Sequence, residues 1–208
     1  MTRDRKTTIR RGTGDAKTVA PGLSRRQLLL GGCALGATLL TLARVRASTT
    51  AAPDKRTPNV KIEAFSAAGK SEGVSELPRV VKTDEEWRTE LPPDSYRVTR
   101  HEGTEPAFSG KYASNHASGL YRCICCDTAL YDSRTKFESG TGWPSFWQPI
   151  SRLNVTEIDD NTLGMQRTAV ACTRCDAHLG HVFDDGPKPT GLRYCMNSVA
   201  LKFVPRAT

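Results

Sequence analysis

One thiol in this chain has company suited to nucleophilic chemistry. Cys195 lies in Thr190-Gly-Leu-Arg-Tyr-Cys-Met-Asn-Ser-Val-Ala-Leu-Lys-Phe-Val204. Leu192 to Val204 is rich in Leu, Tyr, Val and Phe, follows the turn signal Pro189-Thr-Gly191, and reads as a strand. Side chains two apart on a strand share a face, so Arg193, Cys195 and Asn197 are expected to project together. A guanidinium beside a thiol favours the thiolate, the nucleophilic form, and is expected to lower its pKa. A buried structural cysteine is the alternative reading of the same strand.

Groups able to move protons come just before. Ala177-His-Leu-Gly-His181 and His181-Val-Phe-Asp-Asp-Gly-Pro187 supply His178, His181 and Asp185, and imidazoles with a carboxylate are what proton-coupled cysteine chemistry requires. A hydrogen-bonding role in the core would also account for the histidine pair. A third stretch, Ser139-Gly-Thr-Gly-Trp-Pro-Ser-Phe-Trp147, sets Trp143 after two glycines. Their bent backbone can hold the indole at a surface as one wall of a pocket for a small apolar group such as a methyl. A plain core tryptophan is the other reading.

Among the seven cysteines, Cys123/Cys126 and Cys172/Cys175 form two C-x-x-C pairs. Such knuckles suit one tetrahedral zinc ion held by four thiolates, a closed structural site that would clamp two distant hairpins. With that tetrahedron complete, His178 and His181 are released for other work. Three disulfides among the six cysteines beyond residue 47 are the competing reading, given the signs of export below.

The chain carries 30 Lys or Arg against 22 Asp or Glu, a net charge of +8. Ten of those basic residues and two of the acidic ones fall within residues 1–47, leaving twenty of each sign in the rest. A nucleic-acid-binding footprint is therefore not expected in the main domain. Residues 1–47 have the parts of an export signal: Ser24-Arg25-Arg26-Gln27-Leu28, a twin-arginine pattern, then an apolar run to Leu42, then Val45-Arg46-Ala47-Ser48 as a cleavage site. Fifteen apolar residues fall short of the ~20 that span a bilayer. A periplasmic or otherwise extracytoplasmic protein is expected, with an uncleaved leader anchoring it to the membrane as the alternative. Residues 48–79 lack apolar periodicity and read as a linker or weakly ordered arm.

The elements that must position these groups begin with Thr83-Asp-Glu-Glu86, a capping box opening a short helix anchored by Trp87 and ended by Pro92-Pro93. Asp94-Ser-Tyr96 can start another turn. Beyond Phe108, short apolar runs alternate with turn residues. Leu120–Arg122, Ala129–Tyr131, Phe146–Ile150, Val155–Ile158, Met165–Val170 and Leu192–Val204 are strand candidates. The expected fold of residues 80–208 is mainly β, antiparallel, with small N-terminal helices.

Over roughly residues 82–205 the chain resembles the B-type methionine-R-sulfoxide reductases, in Tyr96-Arg-Val-Thr-Arg, Gly103-Thr-Glu-Pro, Phe108-Ser-Gly, Lys136-Phe-Glu-Ser-Gly-Thr-Gly-Trp-Pro-Ser-Phe, Arg174-Cys-Asp-Ala-His-Leu-Gly-His-Val-Phe-Asp-Asp-Gly-Pro and Thr190-Gly-Leu-Arg-Tyr-Cys-Met-Asn-Ser. The resemblance implies two antiparallel sheets and a zinc ion away from the active site. It implies Cys195 as the nucleophile, Trp143 as the seat of the sulfoxide methyl, and Arg193 as the group favouring the thiolate. His178, His181, Asp185 and Asn197 would orient substrate or water and deliver protons. Oxidised peptides and proteins would be the substrate and a thioredoxin-like or other thiol the reductant. Many members carry a resolving cysteine where this chain has Thr141. Cys125, between two zinc ligands, is the residual thiol, and direct reduction of a Cys195 sulfenic acid by an external thiol is favoured over a Cys125–Cys195 bridge. A non-catalytic zinc-stabilised binding module and a thiol–disulfide exchanger are the rival readings.

Overall fold

The structure, a computed structural model, describes residues 58–161 and 166–207. The export signal read over residues 1–47 lies outside the described residues, as does the first part of the arm.

Thr83 caps helix α1 (Asp84–Glu90): its hydroxyl accepts from the Glu86 N–H while the Glu86 carboxylate reaches back to the Thr83 N–H. That reciprocal pair satisfies donors a helix start otherwise leaves open. Trp87 is the buried residue of this helix. Pro93, at the first helical position where its missing N–H costs nothing, opens α2 (Pro93–Arg100), a full helix rather than the single turn expected from Asp94–Tyr96.

The strands form two main antiparallel sheets, as expected. One has three strands in the order β11-β3-β4, from β3 (Gly119–Cys123), β4 (Ala129–Asp132) and β11 (Leu201–Pro205). The other has six, in the order β5-β6-β10-β9-β8-β7, from β5 (Lys136–Phe137), β6 (Ser145–Phe146), β7 (Val155–Asp160), β8 (Arg167–Cys172), β9 (His178–Phe183) and β10 (Arg193–Met196). Aromatic rings from both sheets meet in the core. Tyr131 of β4 stacks on Phe146 of β6 at 4.4 Å between centroids, Tyr121 of β3 meets the same ring edge-on at 5.0 Å, and all three are fully buried. Packing of this kind locks one sheet against the other with more than area burial alone.

Two expectations need correction. The single strand read over Leu192–Val204 is two strands in different sheets. β10 ends at Met196, a 3-10 turn covers Ser198–Ala200, and β11 then joins β3. Periodicity could not show this, because both halves are apolar and the turn between them, Ser-Val-Ala, carries no glycine or proline. The arm expected over 48–79 is, from Asn59 on, a hairpin of β1 (Asn59–Phe65) and β2 (Ser71–Pro78). Its sequence gave no alternation because Ile62 alone is deeply buried and β2 is mostly exposed. Bonding of its backbone to side chains of the main domain seats it instead, with Arg122 and Arg206 donating to the carbonyls of Phe65 and Ala68. Asn154, 0% exposed, accepts from the Glu63 N–H at 2.9 Å and donates to the carbonyls of Glu63 at 2.9 Å and Ala129 at 2.8 Å.

Candidate active site and metal centre

Both C-x-x-C knuckles have one backbone geometry. Each pair is followed by an aspartate with positive φ, Asp127 at 61° and Asp176 at 54°, whose N–H closes the turn onto the carbonyl of the first cysteine at 2.9 Å. Aspartate tolerates that conformation through local hydrogen bonding. The knuckles sit at the ends of β3 and β8, one per sheet, and bring the four Sγ atoms of Cys123, Cys126, Cys172 and Cys175 within 4.8 Å of one another. Across the sheets, Cys123 and Cys175 are 3.6 Å apart and Cys126 and Cys172 3.5 Å. A disulfide would require about 2.05 Å. Four thiolates around one ion at about 2.3 Å would stand about 3.8 Å apart, so this donor set fits a tetrahedral thiophilic metal and not the three-disulfide reading. The described cysteines are all free.

Cys195 stands in the middle of the six-stranded sheet, its Cα paired with Ser145 of β6 on one side and His181 of β9 on the other. Two residues along the same strands Arg193 pairs with Phe183, and the guanidinium lies over that ring at 4.4 Å. Asp185 holds the guanidinium from outside, accepting from Nε and Nη2 at 2.8 Å each. Arg193 is thus fixed beside the thiol while Asp185 remains exposed. This carboxylate touches the arginine rather than the space in front of the sulfur.

A recess of about 160 Å³ opens over Cys195, lined by Trp143, His181, Phe183, Asn197, Thr104 and Arg167 among others. The thiol is half-buried and accessible from this recess, and the indole forms part of its wall. His181 faces the same recess, its Nε2 2.8 Å from Asp160 Oδ2, which also accepts from Arg167 Nη2 at 2.7 Å. His178 is elsewhere. It lines a neighbouring cavity of about 460 Å³ with Glu102, Asp159, Asp160 and Arg100, and His181 and Arg167 border both spaces. Residues three apart in a strand ordinarily face opposite ways. An extra residue in β9, Leu179, opposite Val170/Ala171 of β8 resets the register here, and the two imidazoles meet edge-on at 5.3 Å. Gly180 between them allows the approach of β10, since a Cβ there would lie 2.1 Å from the Cys195 carbonyl oxygen.

Burial pushes the Cys195 thiol above its ordinary value of 9.0, against pulls in the other direction from the Thr141 hydroxyl, the Arg193 charge and the Ser145 hydroxyl. The expected lowering by Arg193 is therefore present, yet desolvation outweighs it. Thr141 Oγ1 lies 3.9 Å from Sγ and continues through Ser139 (2.8 Å) to Ser145 (2.7 Å), a short chain of hydroxyls below the thiol. Burial also holds His178 well down, at about 4, so its imidazole is neutral near pH 7.

Asn197 borders the recess, but its amide is committed to backbone. It donates to the Leu179 carbonyl at 3.1 Å and accepts from the Glu105 N–H at 2.9 Å. Glu105 is the residue that the sequence reading missed. Its carbonyl accepts from Trp143 Nε1 at 3.0 Å, and its buried carboxylate accepts from the N–H groups of Ser198 and Val199 at 2.8 and 3.0 Å. One residue thereby fixes the tryptophan wall to the turn that follows the cysteine strand. The sequence holds one clue, an acid between Thr104 and Pro106 at a position with no helix to cap. Asp160 was missed too, because nothing in Val155–Asp160 marks one acid above its neighbours. Cys125 lies between Cys123 and Cys126 in the first knuckle and touches Thr99 Oγ1 at 3.5 Å.

Known proteins are similar to this chain over the region that carries the recess and the four clustered cysteines. The SelR domain family matches residues 91–205. The peptide methionine sulfoxide reductase MsrB of Pseudomonas entomophila (strain L48) is 58% identical over 130 residues, covering 62% of this chain and 99% of that protein. Its namesake from Pseudomonas fluorescens (strain Pf-5) is 57% identical over 130 residues, covering 62% and 100%. That of Thioalkalivibrio sulfidiphilus (strain HL-EbGR7) is 58% identical over 121 residues, covering 58% and 88%. With over half of its length matched by the family and nearly the whole of close relatives matched in turn, this chain belongs to the SelR family, that of the MsrB-type peptide methionine sulfoxide reductases.

Proposed function

We propose that this protein reduces methionine-R-sulfoxide, chiefly in peptides and proteins, with Cys195 as the nucleophile. The observation that carries the assignment is the half-buried Cys195 thiol under a recess walled by Trp143 and flanked by Arg193. The sulfoxide methyl would rest on the indole, an apolar contact of the kind sulfur-bearing groups make with aromatic rings. The thiolate attacks the electrophilic sulfur, protons reach the sulfoxide oxygen, and methionine departs with two electrons gained. The oxygen stays on Cys195 as a sulfenic acid. Two equivalents of an external thiol then return the cysteine, releasing water and a disulfide.

Within this scheme His181, oriented by Asp160, is the proton-handling group at the recess. Neutral His178 stands behind it, and Asp185 acts through Arg193. Asn197 acts through Glu105 and Trp143. Cys123, Cys126, Cys172 and Cys175 would hold one Zn²⁺, whose soft thiolate ligands suit it and whose part is to tie the two sheets together. The reductant is a thioredoxin-like or other thiol protein. The leader over residues 1–47 supports work outside the cytoplasm after export by the twin-arginine route, and cell fractionation with an epitope-tagged chain tests that address. The test of the reaction is a stereospecific assay on dabsylated methionine sulfoxides with a chemical reductant. The R epimer should be turned over by wild type and not by Cys195→Ser. Full turnover by that variant would refute the assignment and favour a binding module.

A further inference from the structure

Phe108 is an exposed aromatic side chain held in an unfavourable backbone conformation beside the tryptophan wall. Its ring is 75% exposed, the most open of the large apolar side chains among the described residues, so burial does not account for it. Its φ is +64°, in the left-handed region where a phenylalanine is strained. The Ser109 N–H returns to the Pro106 carbonyl at 3.2 Å, which puts Phe108 at the third position of a tight turn, a place that favours glycine when φ is positive. The turn is fastened to the loop carrying Trp143. The Phe108 N–H donates to the Gly142 carbonyl at 2.9 Å, and three residues earlier the Glu105 carbonyl takes the Trp143 indole N–H. Gly142 leaves room for the ring: a Cβ there would stand 2.8 Å from Phe108 Cδ2 and 2.9 Å from Cγ.

An exposed phenyl in a place that glycine would fill more easily, strapped one residue away from the wall of the recess, contributes little to folding. Backbone strain of this kind gathers at ligand contacts. The recess itself, at about 160 Å³, has room for the oxidised side chain and little more, so a polypeptide bearing it must continue over the rim. We propose that Phe108 is a specificity-determining residue, an aromatic rest for the polypeptide on either side of the oxidised methionine, and that it sets the preference for peptide-bound over free methionine-R-sulfoxide. This rests on the reductase reading above.

The test compares kcat/KM for a blocked methionine-R-sulfoxide peptide and for free L-methionine-R-sulfoxide in wild type, Phe108→Ala, Phe108→Gly and Phe108→Tyr. The ratio of peptide to free substrate should fall about 5- to 20-fold in the alanine and glycine variants, mainly through KM, as expected when one partly covered aromatic contact is removed. Phe108→Tyr should restore the ratio. Phe108→Gly should also melt above Phe108→Ala, because glycine removes the strain without restoring the ring. An unchanged ratio in Phe108→Ala and Phe108→Gly, or a tyrosine variant as impaired as alanine, overturns the proposal. Wild-type protein inert toward both substrates would overturn the reductase reading and this inference with it.

Discussion

Replacing Arg193 by glutamine should separate the two opposing influences on the Cys195 thiol. Burial raises its pKa, and Arg193 is one of the groups that counter the rise. Arg193 is 9% exposed, its guanidinium stacked on Phe183 and gripped by Asp185, so the charge is held in place. An opposite charge a few ångströms away is worth about 1–3 pKa units, and the Asp185 carboxylate on the far side trims this towards about 1–2. Thiolate at pH 7 should then drop about 10- to 100-fold. A more basic thiolate is intrinsically more reactive, with a Brønsted slope of about 0.4–0.5, so attack should slow only about 3- to 16-fold. The assay is the pH dependence of Cys195 alkylation by iodoacetamide, followed by peptide mass spectrometry. Wild-type reactivity should climb steadily from pH 7 past pH 9, because the thiol sits above its ordinary value. Arg193→Gln should displace that climb by about 1–2 pH units to the alkaline side, with Arg193→Lys between the two. Coincident profiles for wild type and Arg193→Gln would mean that the guanidinium does not act on the sulfur, and would refute the reasoning.

Thr141→Cys places a second thiol where Oγ1 now lies 3.9 Å from Sγ. One equivalent of sulfoxide should give a 141–195 disulfide in that variant, whereas wild type should yield a sulfenic acid trappable by dimedone, both read by intact mass. A dominant Cys125–Cys195 bridge in wild type would contradict direct reduction by an external thiol. His178 links stability to pH: its folded pKa of about 4 lies below the unfolded 6.5, so its contribution is whole above pH 6.5 and lost as pH falls towards 4. That loss is about 3 kcal/mol, and urea unfolding of His178→Gln should show a correspondingly shallower decline across this window. Chelation should unfold the domain, followed by circular dichroism, with metal content near one ion per chain beforehand. Glu105→Gln sets an amide N–H against one of two backbone N–H donors. It should destabilise by about 2–4 kcal/mol and alter Trp143 fluorescence while Cys195 alkylation persists.

Much of this arrangement is legible in the amino-acid sequence. The capping box at Thr83, the paired knuckles and the run of β-rich segments each depend on neighbours in sequence, and short-range chemistry is what a sequence displays. Arg193 and Cys195 were correctly set on one strand face for the same reason. The roles that shifted depend on distant partners. Asn197 belongs to the turn after the strand and is committed to Leu179 and Glu105. Asp185 bonds Arg193 and leaves His181 to Asp160, 21 residues upstream. The hairpin over Asn59–Pro78 was hidden because polar bonding to Asn154 seats it, where a pattern search looks for apolar alternation.

The break after Met196 has a mechanical result. The backbone that presents the thiol in one layer becomes, after four connecting residues, an edge strand of the other layer, so Cys195 stands at the seam of the molecule. A small slip between layers, begun at a loosened knuckle or in the aromatic packing that reaches Met196 through the Tyr131 hydroxyl, would pull on the nucleophile before anything unfolds. Loss of turnover should therefore be the earliest symptom of damage to this protein, ahead of any change in its overall shape.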